Sequence, residues 1–179
     1  MTMPAGIAAR GAVGALAGAV LIGSMFLDWY SNGKALELLE MLREQADAGA
    51  ELPVSESDIN ISAIEFSDFG PVAALLLLLS GAASIASGLS LAFRKGLDAK
   101  PAVRRDLASV LLVAGALGIG VIVYRMIVDP VDPLVGSLSL EPGLFVGLGA
   151  AIAIAIAGLL AVFAARKAAS SSNGPAAAD

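Results

Sequence analysis

The chain contains no cysteine and no histidine. Those absences exclude disulfide staples, thiolate and imidazole metal sites, thiol nucleophiles and every acid, base or triad mechanism that runs through imidazole. Charge is scarce too. Only 15% of the 179 residues are charged while 58% are hydrophobic, and the mean hydropathy is +0.85. A soluble domain carries about 25% charged and about 45–50% apolar residues. The composition is that of a protein solvated by lipid.

Four runs are long enough for a bilayer, which takes about 20 mostly apolar residues. They are residues 11–30, 70–93, 107–128 and 144–165, and each is bounded by charges or by Pro and Gly. None contains Asn, Gln, Lys or Glu. The "AIAIAIA" of the fourth run alternates like a strand, but a lone strand would expose unpaired backbone to lipid, so a helix is expected. The first run ends in Phe26, Leu27, Asp28, Trp29 and Tyr30 rather than in the small residues of a secretory cleavage site, and it reads as a retained anchor. The fold class expected is all-α: a four-transmembrane-helix bundle with a large acidic outer loop containing an amphipathic helix.

The cations fix the threading. Arg10, Arg94, Lys95, Lys100, Arg104, Arg105, Arg166 and Lys167 lie in residues 1–10, 94–106 and 166–179; only Lys34, Arg43 and Arg125 lie elsewhere. By the positive-inside rule the first group faces the cytoplasm, so both termini are inside and the loops 31–69 and 129–143 are outside. Thirteen of the 16 acidic residues then face outward. The only Trp and Tyr residues, Trp29, Tyr30 and Tyr124, map to the outer ends of their helices, where amphipathic rings serve as interface aromatics.

In the large loop, Ala35, Leu38, Leu39, Leu42 and Ala46 share one helical face, with Lys34, Glu37, Glu40, Arg43, Glu44 and Asp47 mostly on the other, and Gly49 follows as a C-terminal cap. The leucine face is expected to rest on the bundle or the outer leaflet. Ser62 with Glu65 fits a capping box for a short helix leading into the second run, with Phe66 and Phe69 at the interface. In "DPVDPLVGSLSLEPG", Val135, Leu138 and Leu140 suggest a short extended segment that pairs with part of the large loop. The basic loop 94–106 reads as the topology signal rather than as a headgroup site, and the tail 166–179 as disordered.

Small residues recur at helical spacing within the runs. Gly14 with Gly18, Ser80 with Ser84 and Gly88, Ala114 with Gly118, and Gly143 with Gly147, Ala151 and Ala155 make faces along which helices approach closely. Packing of the four helices on one another is the expected use. The fourth helix, with the longest such face, is the best candidate for contact with a second copy.

Only Asp28 and Arg125 are charged within the four runs, and they lie at matching depth near the outer boundary. A charge in a membrane helix favours a partner, so if the first and third helices touch, a structural ion pair between them is expected, bracketed by Tyr124 and Trp29; the alternative is that both side chains snorkel to the headgroups. Glu65 and Asp68 compete for Arg125.

Three segments, "MFLDWY", "ISAIEFSDFG" and "LEPGLFVGLGAAIAIAIAGLLA", resemble uncharacterised small four-helix membrane proteins of high-GC Gram-positive bacteria. The resemblance implies a bacterial plasma membrane location and no particular activity. There is no P-loop, metal-ligand spacing or paired carboxylate at membrane depth, so no enzyme, no cofactor and no nucleic-acid partner are expected. The leading expectation is a multi-pass structural or accessory partner of other membrane proteins. The alternative is a small channel or transporter subunit whose pathway forms on homo-oligomer assembly.

Overall fold

The computed structural model describes residues 5–31, 37–38, 40–43, 61–62, 70–93, 101–128, 131–132, 136–137 and 139–172. Four long helices dominate: α1 Ala5–Ser24, α2 Gly70–Phe93, α3 Pro101–Val128 and α4 Pro142–Ser172. All four are long and apolar enough to cross a membrane. "AIAIAIA" is helical throughout, as satisfaction of its own backbone in an apolar medium requires.

Each helix packs mainly on two others, in the cycle α1–α2–α3–α4–α1. Gly11 of α1 lies against Leu91 and Ala92 of α2, whereas Gly18 lies against Gly81 and Ser84, so α1 and α2 run antiparallel. The same holds for α3 on α4, where Gly118 faces Ala151 and Gly158 faces Leu112, and for α1 on α4, where Ser24 meets Gly147. The result is an up-down-up-down bundle. Leu21, Leu77, Leu111, Ile122, Leu144 and Ile154 fill its centre, each fully buried.

The helices approach one another closely through their backbones. A Cβ built on Gly88 would stand 2.5 Å from the Gly11 oxygen, and one on Gly11 would stand 2.6 Å from the Gly88 oxygen. Neither position has room for a side chain. Interhelical hydrogen bonds such as Ser80 Oγ donating to the Ala114 carbonyl (2.5 Å) add to this tight packing.

Helix ends differ from the apolar runs, because hydropathy marks the apolar part of a helix and not where the helix stops. α3 begins at Pro101, a residue suited to a first helical turn, so Arg104, Arg105 and Asp106 belong to the helix and not to a loop. α4 likewise runs through Arg166 and Lys167 to Ser172, into the segment expected to be disordered, and this Ala-rich stretch suits a helix.

The larger departure is at the other end of α1. The helix ends at Ser24, not Tyr30, and Asp28–Ser31 forms strand β1. β2, Ile61–Ser62, pairs antiparallel with one edge of β1; β5, Ser139–Leu140, pairs antiparallel with the other. A separate hairpin joins β3, Val131–Asp132, to β4, Gly136–Ser137. Ser62 lies in β2, and the short loop pairs with the first residue of the large loop, Ser139 standing opposite Ser31.

Residues 37, 38 and 40–43 are helical, as the amphipathic pattern requires. Leu38, Met41 and Leu42 are exposed there alongside Glu37, Glu40 and Arg43, so Leu38 and Leu42 do not rest on the bundle. The remaining positions of that pattern, together with Glu65, Phe66, Asp68, Phe69, residues 94–100 and residues 173–179, lie outside the described residues.

Candidate functional site

The chemistry of the molecule concentrates where α1 gives way to β1. The last turn of an α-helix leaves carbonyls without intrahelical partners, and here each finds a donor. Ser24 Oγ donates to the Leu21 carbonyl (2.7 Å), and the amides of Met25, Phe26 and Leu27 donate to Ile22, Gly23 and Ser24 (3.1, 3.2 and 3.2 Å). The Trp29 indole Nε1 adds a bond to the Ser24 carbonyl (2.7 Å). The chain can therefore leave the helix without orphaned backbone in an apolar setting.

Strand geometry would send consecutive side chains to opposite faces. β1 avoids this through an irregularity in its pairing: Asp28 is opposite Ser62 but Tyr30 is opposite Ile61, so two steps on β1 match one on β2. Such a bulge re-aims side chains. Trp29 and Tyr30 both turn inward, each 0% exposed, while Asp28 stays exposed.

Between them lies Arg125 of α3, 1% exposed. Its guanidinium carbon stands 5.5 Å from the Trp29 ring centroid and 5.7 Å from that of Tyr30. Both distances fall within the range of attraction between a cation and an aromatic face, which strengthens as water is excluded. The indole is seated on α4: a Cβ on Gly143 would stand 3.1 Å from its Cδ1, and one on Gly147 would stand 3.3 Å from its Cζ2. The edge of the site is closed by Ser31 Oγ donating to Glu141 Oε1 (2.5 Å) and by the Glu141 amide donating to the Trp29 carbonyl (3.0 Å).

The residues expected from the sequence fall into three groups. Gly14, Gly18, Ser80, Ser84, Gly88, Ala114, Gly118, Gly143, Gly147 and Ala151 are all buried. Gly143, Gly147 and Ala151 of α4 face β1, α1 and α3 of their own chain rather than outward. Trp29 and Tyr30 point into the protein, and Tyr124 alone of the three interface aromatics is substantially exposed, at 47%. Asp28 and Arg125 lie at the same end of the bundle, and the rings flanking the guanidinium are Trp29 and Tyr30, with Tyr124 on the outer side of α3.

The clamp is what sequence reasoning missed. Depth matching brought residues 28–30 and 125 to one level, but it assumed a helical residue 30, and only the bulged strand puts both rings on the arginine. Glu141 was missed for the same reason, since its role depends on β5 pairing with β1.

The arrangement joins elements of the fold. It ties α3 to β1, and through β1 to both connecting loops and to α4. Among the described residues no group of three or more carboxylates gathers to hold a metal ion. The recesses described on the bundle, of about 400 Å³ beside Leu76, Gly120 and Tyr124 and about 410 Å³ beside Leu79, Ala83 and Val113, open outward along the α2–α3 seam and are lined by apolar groups. No family model, curated protein or solved structure matches the chain.

Proposed function

We propose that the chain is a multi-pass protein of a bacterial plasma membrane, with both termini cytoplasmic, that acts as a structural or accessory partner of other membrane proteins. One observation carries this reading. The bundle interior is filled mainly by Leu, Ile and Ala side chains, and the buried serine hydroxyls of its helices are bonded to helix carbonyls: Ser24 to Leu21, Ser80 to Ala114, Ser84 to Ser80 and Ser87 to Ala83. Ion and substrate pathways need polar groups exposed to a cavity near the midplane, and a filled bundle does not supply that path within one copy. What remains for function is the outside of the bundle and the loops mounted on β1.

The outer face of α3 supports the same reading. Ala116 and Gly120 are exposed one turn apart, and a Cβ on Gly120 would meet nothing within 4 Å. Small residues at that spacing admit the close approach of another helix. The test is a photo-crosslinking residue at Gly120 in the intact membrane. Capture of a different membrane protein is the expected result. Capture of the same chain alone, together with ion conductance after reconstitution into liposomes, would overturn the accessory reading in favour of an oligomeric pore.

A further inference from the structure

α3 carries a core stripe with the spacing of a heptad repeat: Arg104, Ala108, Leu111, Gly115, Gly118, Ile122 and Arg125. From Ala108 to Arg125 every member is buried, and Arg104 is half-buried. The stripe begins and ends on arginine, and the two lie about 31 Å apart at a helical rise of about 1.5 Å per residue. That is the thickness of a bilayer's hydrocarbon core, about 30 Å. The two ends are not treated alike. Arg125 has Trp29 and Tyr30, but the chain has no Trp or Tyr for the end that holds Arg104. Arg104 Nε is buried and has no hydrogen-bond partner among the described residues.

The antiparallel packing gathers other cations at that same end. α1 begins there, beside the end of α2, and the start of α3 meets the end of α4 through Ala108, Ala161 and Val162. Arg10, Arg105, Arg166 and Lys167 therefore share the level of Arg104, with Asp106, exposed, as the single carboxylate there among the described residues. The Arg10 guanidinium folds back along α1 to Gly6, where a Cβ would stand 3.7 Å from its atoms. It reaches toward the helix start, as a snorkelling side chain does at a membrane boundary.

We infer that this basic end is a binding site for the phosphate of an anionic phospholipid, with Arg104 as its central ligand and Arg166 on the adjoining helix as the second. A buried guanidinium N–H without a protein acceptor favours an anionic partner; the arginine at the far end has aromatic neighbours, and a lipid phosphate is the anion present at this depth. The planar donor fork of arginine suits phosphate oxygens. This inference rests on the membrane reading above.

The test uses the full chain in vesicles of phosphatidylcholine alone or with a minority of phosphatidylglycerol, following the midpoint of heat unfolding. Phosphatidylglycerol should raise the midpoint by at least about 4 °C. The pair Arg104→Gln with Arg166→Gln should abolish that rise, Arg104→Lys should keep part of it, and Arg43→Gln should leave it unchanged. An undiminished rise in the double variant, or an equal rise from inorganic phosphate added to phosphatidylcholine vesicles, would overturn the site. Should the double variant not fold, native mass spectrometry of the wild-type chain decides: preferential retention of phosphatidylglycerol is expected, and equal retention of the two lipids overturns it. Failure to co-float with phosphatidylcholine vesicles would overturn the membrane reading itself, whereas insertion without any phosphatidylglycerol effect would overturn only the site.

Discussion

Replacing Trp29 by Leu and Arg125 by Met, singly and together, measures the clamp directly. Trp29→Leu removes the indole bond to the Ser24 carbonyl, about 1 kcal/mol, and leaves a void over Gly143 and Gly147 that adds about 2 kcal/mol. Arg125→Met removes an attraction to two rings but also removes a buried charge, and such exchanges are often close to neutral. The single losses are therefore unequal, about 3 kcal/mol for Trp29→Leu and about 0–2 kcal/mol for Arg125→Met. Their coupling is the informative quantity. A cation over an aromatic ring contributes about 0.5–1 kcal/mol when exposed and about 2 kcal/mol when desolvated. With Arg125 at 1% and Trp29 at 0% exposure, a coupling of about 1–2 kcal/mol is expected. The assay is reversible unfolding in mixed micelles on raising the denaturing detergent, followed by far-ultraviolet circular dichroism, since the sole tryptophan is itself altered. A coupling below about 0.5 kcal/mol, the level at which independent sites add, would refute the clamp as an energetic feature.

Gly88→Ala should cost about 1–3 kcal/mol in the same assay, because its Cβ would stand 2.5 Å from the Gly11 oxygen and 2.7 Å from the Ala15 nitrogen, forcing α1 from α2. Gly120→Ala, into open space, should cost nothing and can gain up to about 1 kcal/mol of helix propensity; equal losses at the two sites would contradict the packing described. An ion pair between Asp28 and Arg125 remains our proposal from their common depth: Asp28→Arg and Arg125→Asp should each lower the yield of folded protein and the double swap should restore it, whereas additive losses would mean no pair. Reporter fusions test the threading. One at Asp179 should be active only inside and one within residues 49–57 only outside; the reverse pattern would overturn the orientation.

The number and approximate position of the helices were legible in the sequence because both follow from one quantity, the length of uninterrupted apolar chain against the thickness of a bilayer. Residues 70–93 match α2 end to end for that reason: charge stops on both sides of the apolar run, and Gly70 and Pro71 open the helix. The small residues were legible too, since helical spacing alone assigns Gly14 and Gly18, or Gly143 and Gly147, to one face. Which helix each face meets was not legible, because spacing carries no information about partners. Tertiary structure decided that Gly11 and Gly88 meet, and that the longest small-residue face is covered within its own chain.

The α1–β1 junction shows where sequence reasoning stops. "MFLDWY" is apolar enough to continue a helix, and local propensity offers no reason to end it at Ser24. The strand exists because residues 61–62 and 139–140, far away in sequence, supply its hydrogen-bond partners on both edges. Its bulge, and hence the placement of Trp29 and Tyr30 on Arg125, follows from that pairing. The sequence by itself determined how many runs are long and apolar enough to cross a membrane, since that depends on composition summed over about 20 residues. Tertiary structure alone decided what each charge near the boundary touches, because a contact depends on two segments whose proximity neither one encodes alone.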